Sequence, residues 1–238
     1  MSQRQSGYER KEADVYETPA WVTHALCGQL DLASKRILEP ACGSGQMVQA
    51  LMDRGHLSVA GYDIRYMGQN FLERQSARDF EAIVTNPPYE LAREFCEHAL
   101  DLMEPVRGMV AMLLRTDFDH AVSRSHLFGD HPAFAKKLVL TKRIAWFVEA
   151  NGKPKASPSF NHAWYIWNWK HIGPPTISYG PERGVSEQPV NIGTASHADL
   201  FTHPQRVART PGGTGTTPAG ESRADDRAVA NTSGGYPS

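Results

Sequence analysis

One segment constrains the fold more than any other. Residues 109–114, Met-Val-Ala-Met-Leu-Leu, carry six apolar side chains in succession. Because the side chains of a strand alternate between two faces, an unbroken apolar run predicts a strand that is buried on both of them. Such strands are typical of parallel sheets that helices cover on both faces. The segment therefore predicts an α/β protein with this strand near its centre.

Helical and strand-like segments alternate on either side of this run. Apolar residues recur at helical spacing from Trp21, after Gly45 and over 89–103. Thr18 and Pro19 predict the cap and first turn of the first helix. We predict a Rossmann-like α/β fold with a mostly parallel seven-stranded sheet and helices on both faces. The predicted strands lie near 36–39, 58–63, 82–85, 109–114, 137–141, 144–148 and 163–169.

The last quarter of the chain differs in composition from the rest. Residues 173–238 contain 10 Gly and 8 Pro in 66 positions. This composition is typical of a chain that buries too little apolar surface to offset its ordering entropy. We predict a flexible N-terminus over 1–13, a single domain over 14–172 and a Gly/Pro-rich disordered tail over 173–238.

Composition also disfavours several classes of protein. No stretch approaches the ~18 consecutive apolar residues of a membrane-spanning helix, and the N-terminus lacks the apolar run of a secretory signal. The three cysteines, Cys27, Cys42 and Cys96, have no paired spacing that would indicate disulfides or a zinc site. We expect a cytoplasmic protein with no membrane contact and no metal site.

Charge is unevenly distributed along the chain. Residues 1–106 hold 10 Lys and Arg against 16 Asp and Glu, a balance of −6, whereas residues 107–175 hold 10 against 4, a balance of +6. A basic middle segment fits a surface that faces phosphates. A solvated surface of mixed sign explains the same numbers, so charge alone does not identify a partner.

Polar motifs follow the first two predicted strands, where parallel sheets bind their ligands. Residues 38–45, Leu-Glu-Pro-Ala-Cys-Gly-Ser-Gly, lead from a strand into a helix, and their glycines let backbone pass close to a ligand. A dinucleotide-binding motif would have a third glycine where this chain has Val48. Asp63 ends the second strand, 18 residues after Gly45, where an acid can accept hydrogen bonds from ribose hydroxyls. The alternative is a tight turn without a ligand.

The most specific motif is Asn86-Pro87-Pro88-Tyr89, directly after the third predicted strand. The prolines fix the backbone and push Asn86 toward extended geometry. The turn can therefore present the Asn86 amide oxygen and the Pro87 carbonyl as acceptors, with the Tyr89 ring as a stacking surface. Two acceptors can orient the amine of a planar substrate, and stacking of a base on an aromatic ring contributes ~1–3 kcal/mol.

Together these motifs resemble the amino-methyltransferases, and most closely the DNA adenine-N6 methyltransferases, among them the short solitary enzymes of phages and prophages. Residues 16–19, Tyr-Glu-Thr-Pro, resemble the family's N-terminal motif, and the resemblance covers roughly residues 14–170. It implies a class I methyltransferase domain with S-adenosyl-L-methionine as cofactor. It also implies transfer of a methyl group to the N6 amine of an adenine flipped out of DNA.

The resemblance also implies roles for individual residues. Asn70 stands where the family usually has an aspartate that binds the adenine amine of the cofactor, and Asp79 is a rival for that role. The implied catalytic residues are Asn86, Pro87, Pro88 and Tyr89. The implied cofactor-binding residues are Thr18, Pro19, Glu39, Pro40, Ala41, Gly43, Gly45, Asp63, Asn70 and Phe71.

Relatives place a β-hairpin near the target base, at a position that corresponds to residues 157–167 here. Phe160 is therefore predicted to form a second wall of the base pocket, opposite Tyr89. Lys153 and Lys155 in the preceding loop are candidates for phosphate contacts, although ordinary surface lysines would look the same.

Three other functions fit the same motifs. RNA adenine and the side-chain amide of a protein glutamine are also planar amine substrates, although the glutamine enzymes usually carry an added N-terminal helical domain. A non-catalytic scaffold that binds the cofactor or nucleic acid would keep the fold without the reaction. The segments available for reading sequence are short, so we expect short or relaxed specificity, or a specificity partner of unknown identity.

Overall fold

A computed structural model describes residues 16–146 and 160–181. The predicted flexible N-terminus (1–13), Lys153 and Lys155, and the tail from residue 182 lie outside these ranges. The described residues form four α-helices and seven strands. The helices are α1 (Ala20–Cys27), α2 (Gln46–Met52), α3 (Ile64–Met67) and α4 (Ala92–Met103). The strands are β1 (Ile37–Glu39), β2 (Val59–Gly61), β3 (Ala82–Thr85), β4 (Met109–Arg115), β5 (Phe134–Leu140), β6 (His162–Asn168) and β7 (Thr176–Gly180).

The seven strands form one sheet in the order β2-β1-β3-β4-β6-β5-β7. All neighbouring strands pair in parallel except at β6, which runs antiparallel to both β4 and β5. The strand order reverses between β1 and β3, which creates the topological switch point where Rossmann-like sheets bind ligands. The predicted α/β fold with a mostly parallel seven-stranded sheet is confirmed.

The side chains of β4 divide the core between the two faces of the sheet. Val110, Met112 and Leu114 pack into a cluster that contains the apolar side of α4. Met109, Ala111 and Leu113 pack on the other face with residues of α1 and α2. Helices therefore cover both faces, and the continuous apolar run of β4 is explained because each face of this strand is buried.

The strand predicted near 144–148 is wrong over its described part. Residues 144–146 form no strand: the Ile144 side chain is buried in the core, and the Trp146 ring packs against that of Tyr16. The seventh strand is β7, which pairs in parallel with β5 at the edge of the sheet. The sheet therefore extends beyond the domain end that we placed at residue 172.

β7 escaped prediction because its apolar signal is weak. Ile177 and Tyr179 are each 65% exposed, as expected for a strand at the edge of a sheet, and prolines surround it. The cap of α1 also differs from expectation: Pro19 occupies the N-cap position, with no side-chain cap hydrogen bond. The Thr18 hydroxyl instead bonds to Asn86.

Two searches of the described residues gave no result. None of the described helices is long and apolar enough to cross a membrane. Within the same ranges, no group of three His, Cys, Asp or Glu side chains is arranged to hold a metal ion.

Candidate active site

The predicted site residues converge where β1, β2 and β3 end. Residues 40–45 follow β1, Asp63 follows β2 and Asn86 follows β3, so all three meet at the carboxyl edge of the sheet beside the switch point. This edge holds two arrangements of different chemistry. One is built from carboxylates and backbone amides, and the other from aromatic rings.

The loop between β1 and α2 is shaped by two glycines and fastened by Asp63. Gly43 and Gly45 have φ angles of 54° and 93°, which side chains with a Cβ rarely adopt. Asp63 is 4% exposed, and its two carboxylate oxygens accept from the Gly43 amide at 3.0 Å and the Arg65 amide at 2.8 Å. The acid that we predicted to bind ribose thus also fixes the glycine loop and caps α3.

Glu39 is a buried acid that is only partly satisfied. Its Oε1 atom accepts from the Ala41 amide at 3.0 Å and from the Thr85 hydroxyl at 2.5 Å. Its Oε2 atom is buried and has no hydrogen-bond partner in the described structure. Burial raises the pKa of Glu39 to about 8, and the negative charge of Asp63 adds to this rise, against the hydrogen bonds from Thr85 and Ala41. A cationic ligand at Oε2 would satisfy this group.

A cleft of about 270 Å³ lies beyond β1 and β2. Its lining brings together the predicted residues Pro40, Asn70 and Phe71 with Tyr62 and Arg74, which were not predicted. The Phe71 ring is 5% exposed and belongs mostly to the core, so only a small part of it borders the cleft.

Asn70 caps the short turn over Phe71–Glu73 by accepting from the Leu72 amide at 3.1 Å. Its amide nitrogen donates to Glu73 at 2.9 Å, which fixes the orientation of the side chain. The rival residue, Asp79, is exposed and lies in the field of Arg36, at the start of β1. Asn70 lines the cleft and Asp79 does not.

The segment before α1 bridges the two motifs. Glu17 accepts from the Ser44 amide of the glycine loop at 3.2 Å. The Tyr16 carbonyl and the Thr18 hydroxyl each accept from the Asn86 amide nitrogen at 3.2 Å. The residues that resemble an N-terminal family motif therefore contact both the glycine loop and the Asn-Pro-Pro-Tyr turn.

These contacts settle which way the Asn86 amide points. A carbonyl oxygen such as that of Tyr16 needs a donor, so the amide nitrogen of Asn86 must face it. The amide oxygen then faces away from the bridge, and it is buried without a hydrogen-bond partner in the described structure. A buried acceptor without a partner is costly unless a ligand supplies a donor. Asn86 thus presents a free acceptor at the edge of the sheet.

The two prolines of the turn have different environments. Pro87 is buried, whereas Pro88 is exposed, and the Pro88 carbonyl accepts from the Leu91 amide at 3.0 Å. Pro88 therefore shapes the short helical turn over Tyr89–Leu91, and its carbonyl is already hydrogen-bonded within that turn. The Pro87 carbonyl remains the predicted second acceptor.

Tyr89 lies in a cluster of four rings that we call the aromatic cluster: Tyr16, Tyr89, Trp146 and His162. Its ring centroid is 5.7 Å from that of Tyr16, 6.5 Å from that of Trp146 and 6.1 Å from that of His162. The Tyr89 hydroxyl lies 2.9 Å from Nε2 of His162. Burial raises the pKa of Tyr89 far above its ordinary value, so the phenol stays protonated.

Phe160 lies at the entry to β6, and its ring is covered by the guanidinium of Arg115 at 4.2 Å from the centroid. Arg115 also forms an ion pair with Asp117 at 2.7 Å. The predicted wall of the base pocket is therefore a stacked Phe–Arg pair, which places a positive charge beside the phenylalanine.

Several site residues were missed from the sequence. Thr85 is the last residue of the strand before the Asn-Pro-Pro-Tyr motif, and His162 lies within the segment 157–167 predicted near the target base. Tyr16 belongs to the predicted N-terminal motif, although no role was given to its ring. Trp146 and Arg115 come from separate segments, and no local pattern marks them.

Comparison with known proteins gives only remote likenesses. No family model and no curated protein matches the sequence. Among solved structures, a Listeria monocytogenes protein assigned to the class I S-adenosylmethionine-dependent methyltransferases is 12% identical, with a TM-score of 0.47 over 71% of this chain and 67% of that one. A modification subunit assigned to a type I restriction enzyme of Vibrio vulnificus is 16% identical, with a TM-score of 0.42 over 72% of this chain and 48% of that one.

A further structure is the methyltransferase subunit of a type I restriction-modification system from Streptococcus thermophilus. It is 13% identical, with a TM-score of 0.43 over 64% of this chain and 43% of that one. This chain thus spans less than half the length of the two restriction-modification subunits. Because these likenesses are remote, we base the function on the residues of the site.

Proposed function

We propose that this protein is a class I methyltransferase that transfers a methyl group from S-adenosyl-L-methionine to the N6 amine of adenine in DNA. The observation that carries the proposal is the free, buried amide oxygen of Asn86 in a rigid Asn-Pro-Pro-Tyr turn. This turn stands beside a glycine loop and two buried acids at the switch point of the sheet.

The residues present fit the cofactor. Oε2 of Glu39 is buried without a partner among the described residues. The ammonium of the methionine part would favour the ionised carboxylate, whose Oε2 would then accept from it. Asp63 offers lone pairs to ribose hydroxyls, and the cleft lined by Pro40 and Asn70 suits a purine. When bound, S-adenosyl-L-methionine would supply an electrophilic methyl group on a sulfonium.

The chain's own groups would hold the accepting amine. The Asn86 oxygen accepts one of its hydrogens and the Pro87 carbonyl the other, which favours a pyramidal nitrogen and localises on it the lone pair that is otherwise delocalised into the ring. Tyr89 supplies the stacking face. Positioning of this kind supplies a large share of catalysis when the methyl donor is intrinsically reactive.

Two observations favour a nucleic-acid base over a glutamine amide. Tyr89 belongs to a cluster of four aromatic rings, and a base stacks on an aromatic ring more extensively than a small amide does. Positive charge also stands at the same edge of the sheet, where Lys142 and Arg143 follow β5. These groups suit a phosphate backbone. RNA adenine shares this chemistry and is the second candidate.

The test is methyl transfer from labelled S-adenosyl-L-methionine to unmethylated DNA, to RNA and to a protein with an exposed glutamine loop. Mass spectrometry of the digested products identifies the methylated group. We expect N6-methyladenine in DNA with the wild type and none with Asn86→Ala. The matched control is Asn168→Ala, because Asn168 lies at the other end of β6, away from the site.

Each outcome assigns a different substrate. Methyladenine in RNA alone, or methylglutamine, would replace DNA as the substrate while keeping the reaction. Tight cofactor binding without transfer to any of the three would contradict the proposal and favour a non-catalytic scaffold. One methylated motif longer than about five base pairs, obtained with the purified protein alone, would contradict the expected short specificity.

A further inference from the structure

His162 is a buried residue whose imidazole contacts the hydroxyl of Tyr89. It opens β6 opposite Arg115 of β4, and it is 3% exposed. Its Nε2 atom lies 2.9 Å from the Tyr89 hydroxyl. The chemistry proposed above uses the Tyr89 ring but gives no role to this hydroxyl or to the imidazole.

Neither partner of this hydrogen bond is charged. Tyr89 remains a phenol because burial raises its pKa. Burial lowers the pKa of His162 to about 4, and the positive charge of Arg115 adds to this effect, so the imidazole is neutral near pH 7. A neutral imidazole carries one ring proton, so the phenol donates to Nε2 when that proton is on Nδ1, and Nε2 donates to the phenol oxygen in the other tautomer. The bond joins the two rings in either tautomer.

The two rings meet at their edges and not face to face. Their planes differ by 28° while their centroids are 6.1 Å apart, and the contact passes through the hydroxyl and Nε2. The imidazole thus holds the hydroxyl end of the phenol. Trp146 stands across both rings, at 78° to Tyr89 and 84° to His162, and supports the pair from one side.

We propose that His162 is a positioning residue that fixes the Tyr89 ring as the stacking surface for the substrate base. The proposal rests on the proposed function, because it assumes that a base stacks on Tyr89. Without the bond, the Tyr89 ring would be free to turn about its side-chain torsions. It would then have to be ordered again when the base arrives.

The experiment measures stacking without methyl transfer. The probe is a single-stranded oligonucleotide with 2-aminopurine in place of adenine, whose fluorescence falls when the base stacks on an aromatic ring. The variants are Tyr89→Phe, His162→Phe, the double variant and His162→Gln, in which the side-chain amide can replace Nε2 as the hydrogen-bond partner of the phenol. His171→Phe is the matched control, since His171 lies beyond the opposite end of β6.

We expect Tyr89→Phe and His162→Phe each to weaken probe binding about fivefold, as for loss of one hydrogen bond. The double variant should be no weaker than either single one, His162→Gln should recover most of the loss, and His171→Phe should match the wild type. A double variant that loses about 25-fold would show two independent effects and overturn the proposal. Full binding by His162→Phe would also overturn it.

A second readout reports on the bond itself in the free protein. Nitrogen NMR of labelled histidine should show a neutral imidazole for His162 near pH 7, and Tyr89→Phe should shift its Nε2 signal while His171→Phe should not. An Nε2 signal that Tyr89→Phe leaves unchanged would overturn the proposal. Failure of the wild type to methylate DNA, with these stacking and NMR results intact, would instead count against the proposed function alone.

Discussion

The two halves of the candidate site are built from different chemistry, although they lie side by side on one edge of one sheet. In the carboxylate half, comprising Glu39, Asp63 and the loop over 40–45, buried acids accept from backbone amides. In the aromatic half, which is the aromatic cluster, four rings pack together around one phenol–imidazole hydrogen bond. The first half suits a charged, hydroxylated ligand, and the second suits a flat one.

This difference indicates a division of labour. If the carboxylate half holds the cofactor and the aromatic half holds the accepting base, a change in one half should alter one binding step and spare the other. Asn86 is the critical residue, because its nitrogen is tied to the segment 16–18 while its oxygen is free. The predictions below test this separation, from the largest expected effect to the smallest.

Asn86→Ala should break the reaction without breaking cofactor binding. Removal of one preorganised polar group at a reacting centre costs about 10²–10³-fold in kcat, and we expect a loss at the upper end. Cofactor affinity, measured by calorimetry, should stay within about twofold of the wild type. A comparable loss of cofactor affinity would show that the two halves are one unit and would contradict the division.

Glu39→Gln tests the carboxylate half through pH. Because the pKa of Glu39 is raised in the fold to about 8, its neutral form is favoured by folding. The resulting stability is fully present below the ordinary pKa of the acid and is lost as pH rises toward 8. Each unit of pKa difference corresponds to about 1.4 kcal/mol.

We therefore expect the free energy of unfolding of the wild type, relative to Glu39→Gln, to fall by several kcal/mol between pH 5 and pH 8. Urea unfolding at a series of pH values measures this difference. Parallel curves for the two proteins would show that Glu39 is already ionised in the fold.

The sequence predicted the carboxylate half better than the aromatic half, and the reason is physical. Glu39, Gly43, Gly45 and Asp63 are held by local constraints: positive φ angles in one loop and the ends of two adjacent strands. Such constraints appear as residue types at fixed spacing. Asn86 and Tyr89 were also found, because two prolines mark their turn.

The rest of the aromatic half depends on which strands become neighbours. His162 contacts Tyr89 because β6 lies antiparallel between β4 and β5. The spacing of residues along the chain does not predict that pairing. We predicted a strand at Trp146 because its neighbours in the sequence are apolar. In the structure its ring packs against the other rings of the aromatic cluster. We predicted that β7 belongs to the tail, because prolines and glycines surround it and its alternation of polar and apolar residues is short.

Asp63→Asn should weaken cofactor binding and leave the base surface intact. The two oxygens of Asp63 each accept from a backbone amide, so an asparagine must turn its NH₂ group toward one of these donors. We expect about a tenfold loss of cofactor affinity and a loss of about 1–3 kcal/mol in unfolding free energy. Probe binding to the aromatic half should not change once the protein is folded. Equal losses in both binding steps would count against separate halves.

Arg115→Met should have the smallest effect. It tests whether the guanidinium beside Phe160 supports that ring or binds a phosphate. The guanidinium lies over the Phe160 ring and is paired with Asp117, so its charge is already engaged. A cation–π contact at an exposed site contributes about 0.5–1 kcal/mol, and we expect DNA affinity to fall two- to fivefold. The dependence of this affinity on salt should stay unchanged, because no phosphate contact is lost.

If instead the slope of log K against log salt falls by about one, Arg115 binds a phosphate directly. Arg107→Met is the control: Arg107 donates to the Trp169 carbonyl at the opposite edge of the sheet. The aromatic half contains the groups that would bind a base. An unchanged salt dependence would therefore assign Arg115 to that half, as a support for Phe160. A reduced salt dependence would instead extend the site to the DNA backbone.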